Sequence, residues 1–332
     1  MMKRFFFLPV FALVLASCTG EKDNNGKDSI PETPPKPRIA GPAFSADSAY
    51  SFIQQQVNFG PRVPGTKEHA QCAAWIEEKM KGYGLTVTLQ EGEGTMFNGK
   101  KIPIKNIMAS FNPGRNPRVL LLAHWDSRFA ADRDTSDKDK PILGANDGGS
   151  GVAVLMEIGR ILKEKDPNIG VDLLFVDSED QGQPNDDKGQ PVQDSWCLGA
   201  QYWAGRIPQG YAPRYGVLLD MVGGKGAVFP REGTSVAYAP WLVDKVWTNA
   251  AQLGYGGTFV QNQTGQTVDD HYYINAIGNI PCIDIVHYDP MTTDYGPFHH
   301  RHSDNMELID KNTLKIVGHV LTDLLYNEEP AQ

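Results

Sequence analysis

Residues 173–182 read LLFVDSEDQG, and they decide how the rest of this chain is read. The first half is apolar and strand-forming; it breaks off into three carboxylates, Asp177, Glu179 and Asp180. Adjacent carboxylates repel one another, and taking them out of water costs several kcal/mol unless positive charge offsets it. No Lys or Arg lies between Asp172 and Lys188. The run therefore either opens into water or holds a cation at the end of a buried strand.

The strand over 171–176 is one of a series. Further strands are expected over 85–89, 106–111, 118–123, 215–219 and 280–285, the third of these apolar after Arg118 and so central. Apolar residues at helical spacing predict a helix capped by Ser45 or Asp47 and running to Val57, and others over 67–83, 148–162, 198–204, 241–253 and 312–326. Strands alternating with helices imply an α/β fold: a single globular domain with a mixed, mostly parallel central β-sheet flanked by helices. The segment 181–194 is a long strand-to-helix loop, a kind that is usually functional.

The net charge of −9 argues against nucleic acid or an anionic membrane surface as the main partner. At the N-terminus Lys3 and Arg4 precede an apolar run over 5–16, too short to span a bilayer as a mature helix. Leu15-Ala16-Ser17-Cys18 resembles a bacterial lipobox, in which Cys18 is lipidated; an ordinary leader with a coincidental Cys is the alternative. Residues 1–17 are accordingly expected to be a lipoprotein signal peptide, 18–43 a polar, Pro-rich tether and 44–332 the catalytic domain. Such a protein sits at the cell envelope facing the periplasm, held to the membrane only by its lipid. The remaining Cys72, Cys197 and Cys282 are odd in number and show no CxxC spacing, which disfavours a thiolate zinc site.

Chemistry-bearing residues follow the strands. His124-Trp125-Asp126 follows the strand at 118–123, and the Gly-rich GANDGGSG turn carries Asp147 into a helix. Asp220 follows the strand at 215–219, and Asp269-Asp270-His271 and Phe298-His299-His300-Arg301-His302 come later. Sites in open α/β sheets form at the carboxyl ends of the strands. His and carboxylates converging on one edge make the ligand set that zinc takes. No GK[ST] or GxGxxG accompanies the glycines, so they do not read as a nucleotide site. Asp126 reads as a residue that orients His124, and Asp177 as a supporting or loop residue.

With these motifs in hand (AHWDS, GANDGGSG, FVDSED, LLDMVGG, DDH, HHRHSDN), residues 44–326 resemble the zinc-dependent aminopeptidase-like family. The resemblance implies metal ligands at His124, Asp147, Asp180, Asp220 and His300 in a two-metal member, with Glu179 as general base. Within the family the chain is most similar to the glutaminyl cyclases, on FGPRVPGT, on the insert ending Gln193-Asp194-Ser195 before Leu198-Gly199-Ala200, and on Asp269-Asp270-His271. That implies one zinc held by Asp147, Asp180 and His300. It implies Glu179 as acid/base, supported catalytically by Asp220 and Asp270, with His124 and Asp126 supporting or holding a second metal. Two departures stand out: Asp180 where animal cyclases carry Glu, and His299 where they carry Trp. His300 lies four residues before Asp304, the family spacing, with His302 as runner-up. Trp196, Phe298 and His299 are expected to line the substrate pocket.

The implied reaction closes an N-terminal Gln of a peptide or protein into pyroglutamate and releases ammonia. The alternative is a metallo-aminopeptidase using the same residues with one or two metals. A non-catalytic, tethered binding lipoprotein would show a broken ligand set or a missing base, and neither is seen.

Overall fold

The computed structural model describes residues 38–184, 186–289 and 291–329. The expected leader, Cys18 and most of the expected tether lie outside them. The chain enters through α1 (Ala46–Phe59) and α2 (Lys67–Gly82), then a hairpin of β1 (Thr86–Thr95) and β2 (Lys101–Phe111). Next come β3 (Arg118–His124), α3 (Gly149–Glu164), β4 (Gly170–Val176), α4 (Leu198–Ala204) and β5 (Tyr215–Asp220). A smaller excursion follows: β6 (Phe229–Arg231), α5 (Gly233–Tyr238), α6 (Pro240–Gln252) and β7 (Phe259–Gln263). The last elements are α7 (Asp270–Ala276), β8 (Cys282–Val286) and α8 (Lys311–Tyr326).

Six strands form the central sheet in the order β1-β2-β4-β3-β5-β8. β4, β3, β5 and β8 run parallel, while β2 pairs antiparallel with β4 and β1 with β2. The parallel centre is why those strands read as continuous apolar runs: β3, β4 and β5 are buried at every position. Side chains alternate between the faces. Val119, Leu121, Ala123, Leu173, Phe175, Val217 and Leu219 point into a core filled by α1, α2, α3, α6 and α8. Leu120, Leu122, Leu174, Val176 and Leu218 point into a second core under α4 and α7.

α3 joins β3 to β4 across the first face, and α4 joins β4 to β5 across the second, with β3 lying between its two successors. The strand order therefore reverses at β3, and a crevice opens at the carboxyl ends of β4, β3 and β5. The acid run after β4 sits at this crevice. The approach of α4 is close: a Cβ on Gly199 would lie 2.0 Å from the Asp177 carbonyl oxygen, so only Gly fits there.

The predicted elements all form, with differences at their ends. Four short elements, β6, α5, β7 and α7, were not anticipated, because they are only three to seven residues long and too short to show a period. α5 is capped by Glu232, whose carboxylate accepts from the amides of Thr234 and Ser235 and also from Thr267, 35 residues on. Cys72, Cys197 and Cys282 are buried free thiols.

Candidate active site

Every strand that ends in the crevice delivers a titratable residue to it. His124 is the last residue of β3 and Asp220 the last of β5, while Glu179 and Asp180 follow β4 after Ser178, whose φ is +56°. A non-glycine residue with such a φ is costly and persists only where the surroundings enforce it. Asp126 does the enforcing: its carboxylate accepts from the amides of Glu179 at 3.1 Å and Asp180 at 3.2 Å, and from Gln181 Nε2 at 2.9 Å. The His124 Nδ1 is 3.5 Å from the same carboxylate, so Asp126 orients both the histidine and the acid turn.

The Gly-rich turn is held similarly. The buried Arg62 guanidinium donates to the carbonyls of Trp125 (2.8 Å), Leu143 (2.6 Å) and Gly144 (2.8 Å), tying the turn after β3 to the turn before α3. Asp304 accepts from the amides of Asn146 at 2.7 Å and Asp147 at 3.0 Å. Burial and the charge of Asp147 push its carboxyl up to about 8 despite those bonds. Gly148 turns into α3 with φ +79°, and a Cβ there would lie 2.8 Å from the His124 ring.

Two donor groups result, sharing Asp147. In one, His124 Nε2 lies 3.1 Å from Asp147 Oδ1 and 3.3 Å from Asp220 Oδ1. In the other, His300 Nε2 lies 3.1 Å from Asp180 Oδ1 and 4.0 Å from Asp147 Oδ2. His300 sits at φ +56°, with Nδ1 3.4 Å from Asp132. Asp132 is in turn paired with Arg128, which also reaches Asp180.

Asp147 Oδ2 and Asp180 Oδ2 are both buried without a hydrogen-bond partner. Orphaned carboxylate oxygens beside an imidazole are what a bound cation would satisfy, and one His with two carboxylates is a donor set that zinc accepts. The residues therefore fit zinc. His302 stands apart, exposed, with Nδ1 3.0 Å from Asp134.

Beside these donors lies a cavity of about 270 Å³ lined by Asp147, Glu179, Asp220, Asp269, Trp196 and His300, among others. It collects carboxyls without a Lys or Arg in its lining. Burial pushes Glu179 well above the usual carboxylate range; His124 opposes this and Asp269, Asp180 and Asp270 add to it. Burial likewise raises Asp220 to about 7, against its hydrogen bond from His124. The Cys197 thiol lies 3.3 Å from Glu179 Oε1 and donates to it. Trp196 walls the cavity, its ring stacked 5.6 Å from His300 and 4.6 Å from the Arg128 guanidinium carbon. His299 lines it too; burial and the neighbouring His300 charge hold that imidazole well below its ordinary value, so it is neutral and accepts from Arg133.

Two expected residues fall elsewhere. Phe298 is not in the lining but buried beside it, stacked on His287 and packed with Met221 and Val286. Asp270 is fully buried behind the cavity, and its neighbour Asp269 lines it instead. Asp269 N-caps α7, its carboxylate accepting from the Asp270 amide. A cap preference for Asp could have picked the first of the pair. Sequence reasoning used Asp304 only as a spacing marker for His300 and passed over Arg128, Asp132 and Tyr295. Asp177 is buried and holds His69 Nε2 at 2.9 Å and the Lys105 amide at 2.7 Å.

The chain resembles solved proteins along most of its length. Tannerella forsythia glutaminyl cyclase is 48% identical with a TM-score of 0.84, over 87% of this chain and 100% of that one. Bacteroides thetaiotaomicron glutaminyl cyclase bound to N-acetylhistamine is 44% identical with a TM-score of 0.85, over the same shares of the two chains. A structure of a leucine aminopeptidase precursor from Bacteroides thetaiotaomicron is 43% identical with a TM-score of 0.85, over 88% of this chain and 100% of that one. The chain spans about half or less of the length of the curated relatives it matches. The sequence pattern of peptidase family M28 matches residues 106–325, from the strand β2 through α8, and thus takes in every donor described above; the chain belongs to peptidase family M28.

Proposed function

We propose that this protein is a zinc-dependent glutaminyl-peptide cyclotransferase acting on peptides or proteins with N-terminal Gln. The observation that carries the reading is the chain-long match to two solved glutaminyl cyclases at 44% and 48% identity. The residues are competent for the reaction. Asp147, Asp180 and His300 would hold one zinc. Zinc, when bound, supplies Lewis acidity that polarises the γ-carboxamide carbonyl.

The substrate amine attacks its own side-chain amide, forming the ring C–N bond and breaking the bond to the departing nitrogen. Glu179 takes a proton from the amine and returns one to the leaving group as ammonia, which suits a carboxyl lifted above the ordinary carboxylate range by burial. Asp220 and Asp269, facing the same cavity, hold the substrate amine and share its protons. Trp196 gives the side chain a flat wall and keeps water off the reacting groups. Both reacting groups belong to one molecule, so a small cavity suffices.

One observation favours a second reading. His124, Asp147 and Asp220 converge within 4.8 Å and could hold a second metal, as an aminopeptidase would need. Mass spectrometry of a Gln-terminal peptide incubated with the zinc-loaded protein separates the two. Loss of ammonia with the peptide intact is expected; release of the whole first residue would establish the aminopeptidase. We further propose that Cys18 carries a lipid that holds the protein at the cell envelope facing the periplasm, on the strength of Lys3, Arg4, the apolar run and the lipobox-like residues. Mass analysis of the mature N-terminus from membranes tests this.

A further inference from the structure

A second, larger cavity of about 650 Å³ adjoins the first, and Tyr295 lines both. The Tyr295 ring is packed between His299 at 4.5 Å and Tyr288 at 5.3 Å, and forms the sill between the two spaces. Their charges differ in kind. The inner cavity has four carboxyl-bearing residues and no Lys or Arg in its lining. The outer groove carries Lys225 and Arg301. Among the described residues neither has a carboxylate partner; Lys225 is exposed and Arg301 half-buried.

Of the groove's two acids, Asp294 is ion-paired with Arg133 and accepts from it at 3.1 Å, while Asp289 accepts from the Met291 backbone amide at 2.8 Å and keeps its charge. His287, also in the lining, accepts from the Val228 amide through Nδ1 and is held neutral by burial.

We propose that this groove receives the residues that follow the N-terminal one, and that Lys225 and Arg301 select peptides carrying Asp or Glu there. The inference rests on the reading of the inner cavity as the seat of the substrate's N-terminal residue. A peptide so bound crosses Tyr295 with its cationic end among carboxyls and its acidic stretch beside the two free cations. Opposite charges at the two ends would orient the chain as well as hold it.

The test compares Gln-Ala-Glu-Glu-Ala-amide with Gln-Ala-Lys-Lys-Ala-amide at low ionic strength, following ammonia and free Gln in the same reaction. Two partly exposed pairs predict a preference of about five- to tenfold in kcat/KM for the acidic peptide, carried by KM, and shrinking as salt screens it. The double variant Lys225→Glu, Arg301→Glu should reverse the ratio, and the exposed single variant Lys225→Ala should reduce it. The ratio is read within each protein, so any general loss of activity cancels.

Calorimetry with the two corresponding pyroglutamyl peptides, which neither reaction consumes, gives the same comparison without turnover. Equal kcat/KM and equal binding of the two peptides by the unaltered protein would overturn the proposal, as would a ratio unmoved by double charge reversal. Release of Gln in place of ammonia would overturn the cyclase reading alone, since the charge preference is scored whichever bond breaks.

Discussion

Glu179 is where the chemistry meets the environment most directly. Its carboxyl is pushed up by burial and by Asp269, Asp180 and Asp270, and held back by His124. A base must be ionised to work, so activity should fall as pH drops through a value above the ordinary 4.5. A pH profile of kcat/KM checks this, and an acidic limb at or below the ordinary value would refute it. Replacing Glu179 by Gln should cost about 10²–10⁴-fold in kcat, the usual worth of a positioned acid/base, while zinc content stays unchanged. His300→Ala should instead lose zinc, because its Nε2 lies 3.1 Å from Asp180 Oδ1 and 4.0 Å from the orphaned Asp147 Oδ2. Metal analysis of the two purified variants separates the roles, and near-normal turnover in Glu179→Gln would sink the assigned mechanism.

At the scale of elements, two buried side chains act as fasteners. Glu232 caps α5, accepts from three backbone amides and pairs with His271 Nε2 at 3.0 Å. Burial alone would raise its carboxyl, but His271 and the amides outweigh it and hold it down at about 2, from an ordinary 4.5. A depressed carboxyl stabilises the fold above its unfolded value and stops doing so as pH falls through the folded one. Stability should therefore decline between about 4.5 and about 2. Glu232→Gln should cost about 2 kcal/mol at neutral pH and flatten that decline. Denaturant titrations across the pH range read both.

Arg62 is the other fastener. Arg62→Met fills similar space but leaves three buried carbonyls without their donor, and should cost about 3 kcal/mol or more. Because those carbonyls belong to the turns around His124 and Asp147, zinc affinity should fall about 10–100-fold as well. Unchanged affinity in a folded Arg62→Met protein would mean the turns hold themselves.

For the whole molecule, the metal donors come from turns far apart in the chain: Asp147 before α3, Asp180 after β4 and His300 before α8. A cation that bridges them ties the sheet edge to the C-terminal segment and binds only the folded chain. Stripping zinc with a chelator should lower the melting midpoint, since a ligand at 1,000 times its Kd contributes about 4 kcal/mol to the folded state. Differential scanning calorimetry with zinc added back measures the effect, and a midpoint indifferent to zinc would argue against a bound ion among these donors.

How much of this could be read from the chain follows from which forces are local. The apolar runs of β3, β4 and β5, the helix periods and the Gly-rich turn carry their signal in adjacent residues, so the α/β order and the sheet's parallel centre were legible in the sequence. So was the gathering of His124, Asp147, Glu179, Asp180 and Asp220, because parallel strands joined by helices place all their carboxyl ends on one edge; His300 over His302 rested on the family resemblance.

Tertiary structure decided what distance along the chain conceals. Asp269, the cap of α7, lines the cavity while Asp270 is buried behind it, which depends on where α7 begins. Phe298 is buried because Met221 and Val286, from β5's turn and β8, close over it. Arg128, Asp132 and Asp304 act through partners up to 168 residues away, and no local pattern encodes such a contact. The sequence by itself determined the apolar strands, the helix periods and the sheet edge at which the candidate site residues gather. Only the packing of loops from opposite ends of the chain decided which carboxyls face the substrate and which hold the turns, because burial and hydrogen bonding belong to the surroundings rather than to the residue.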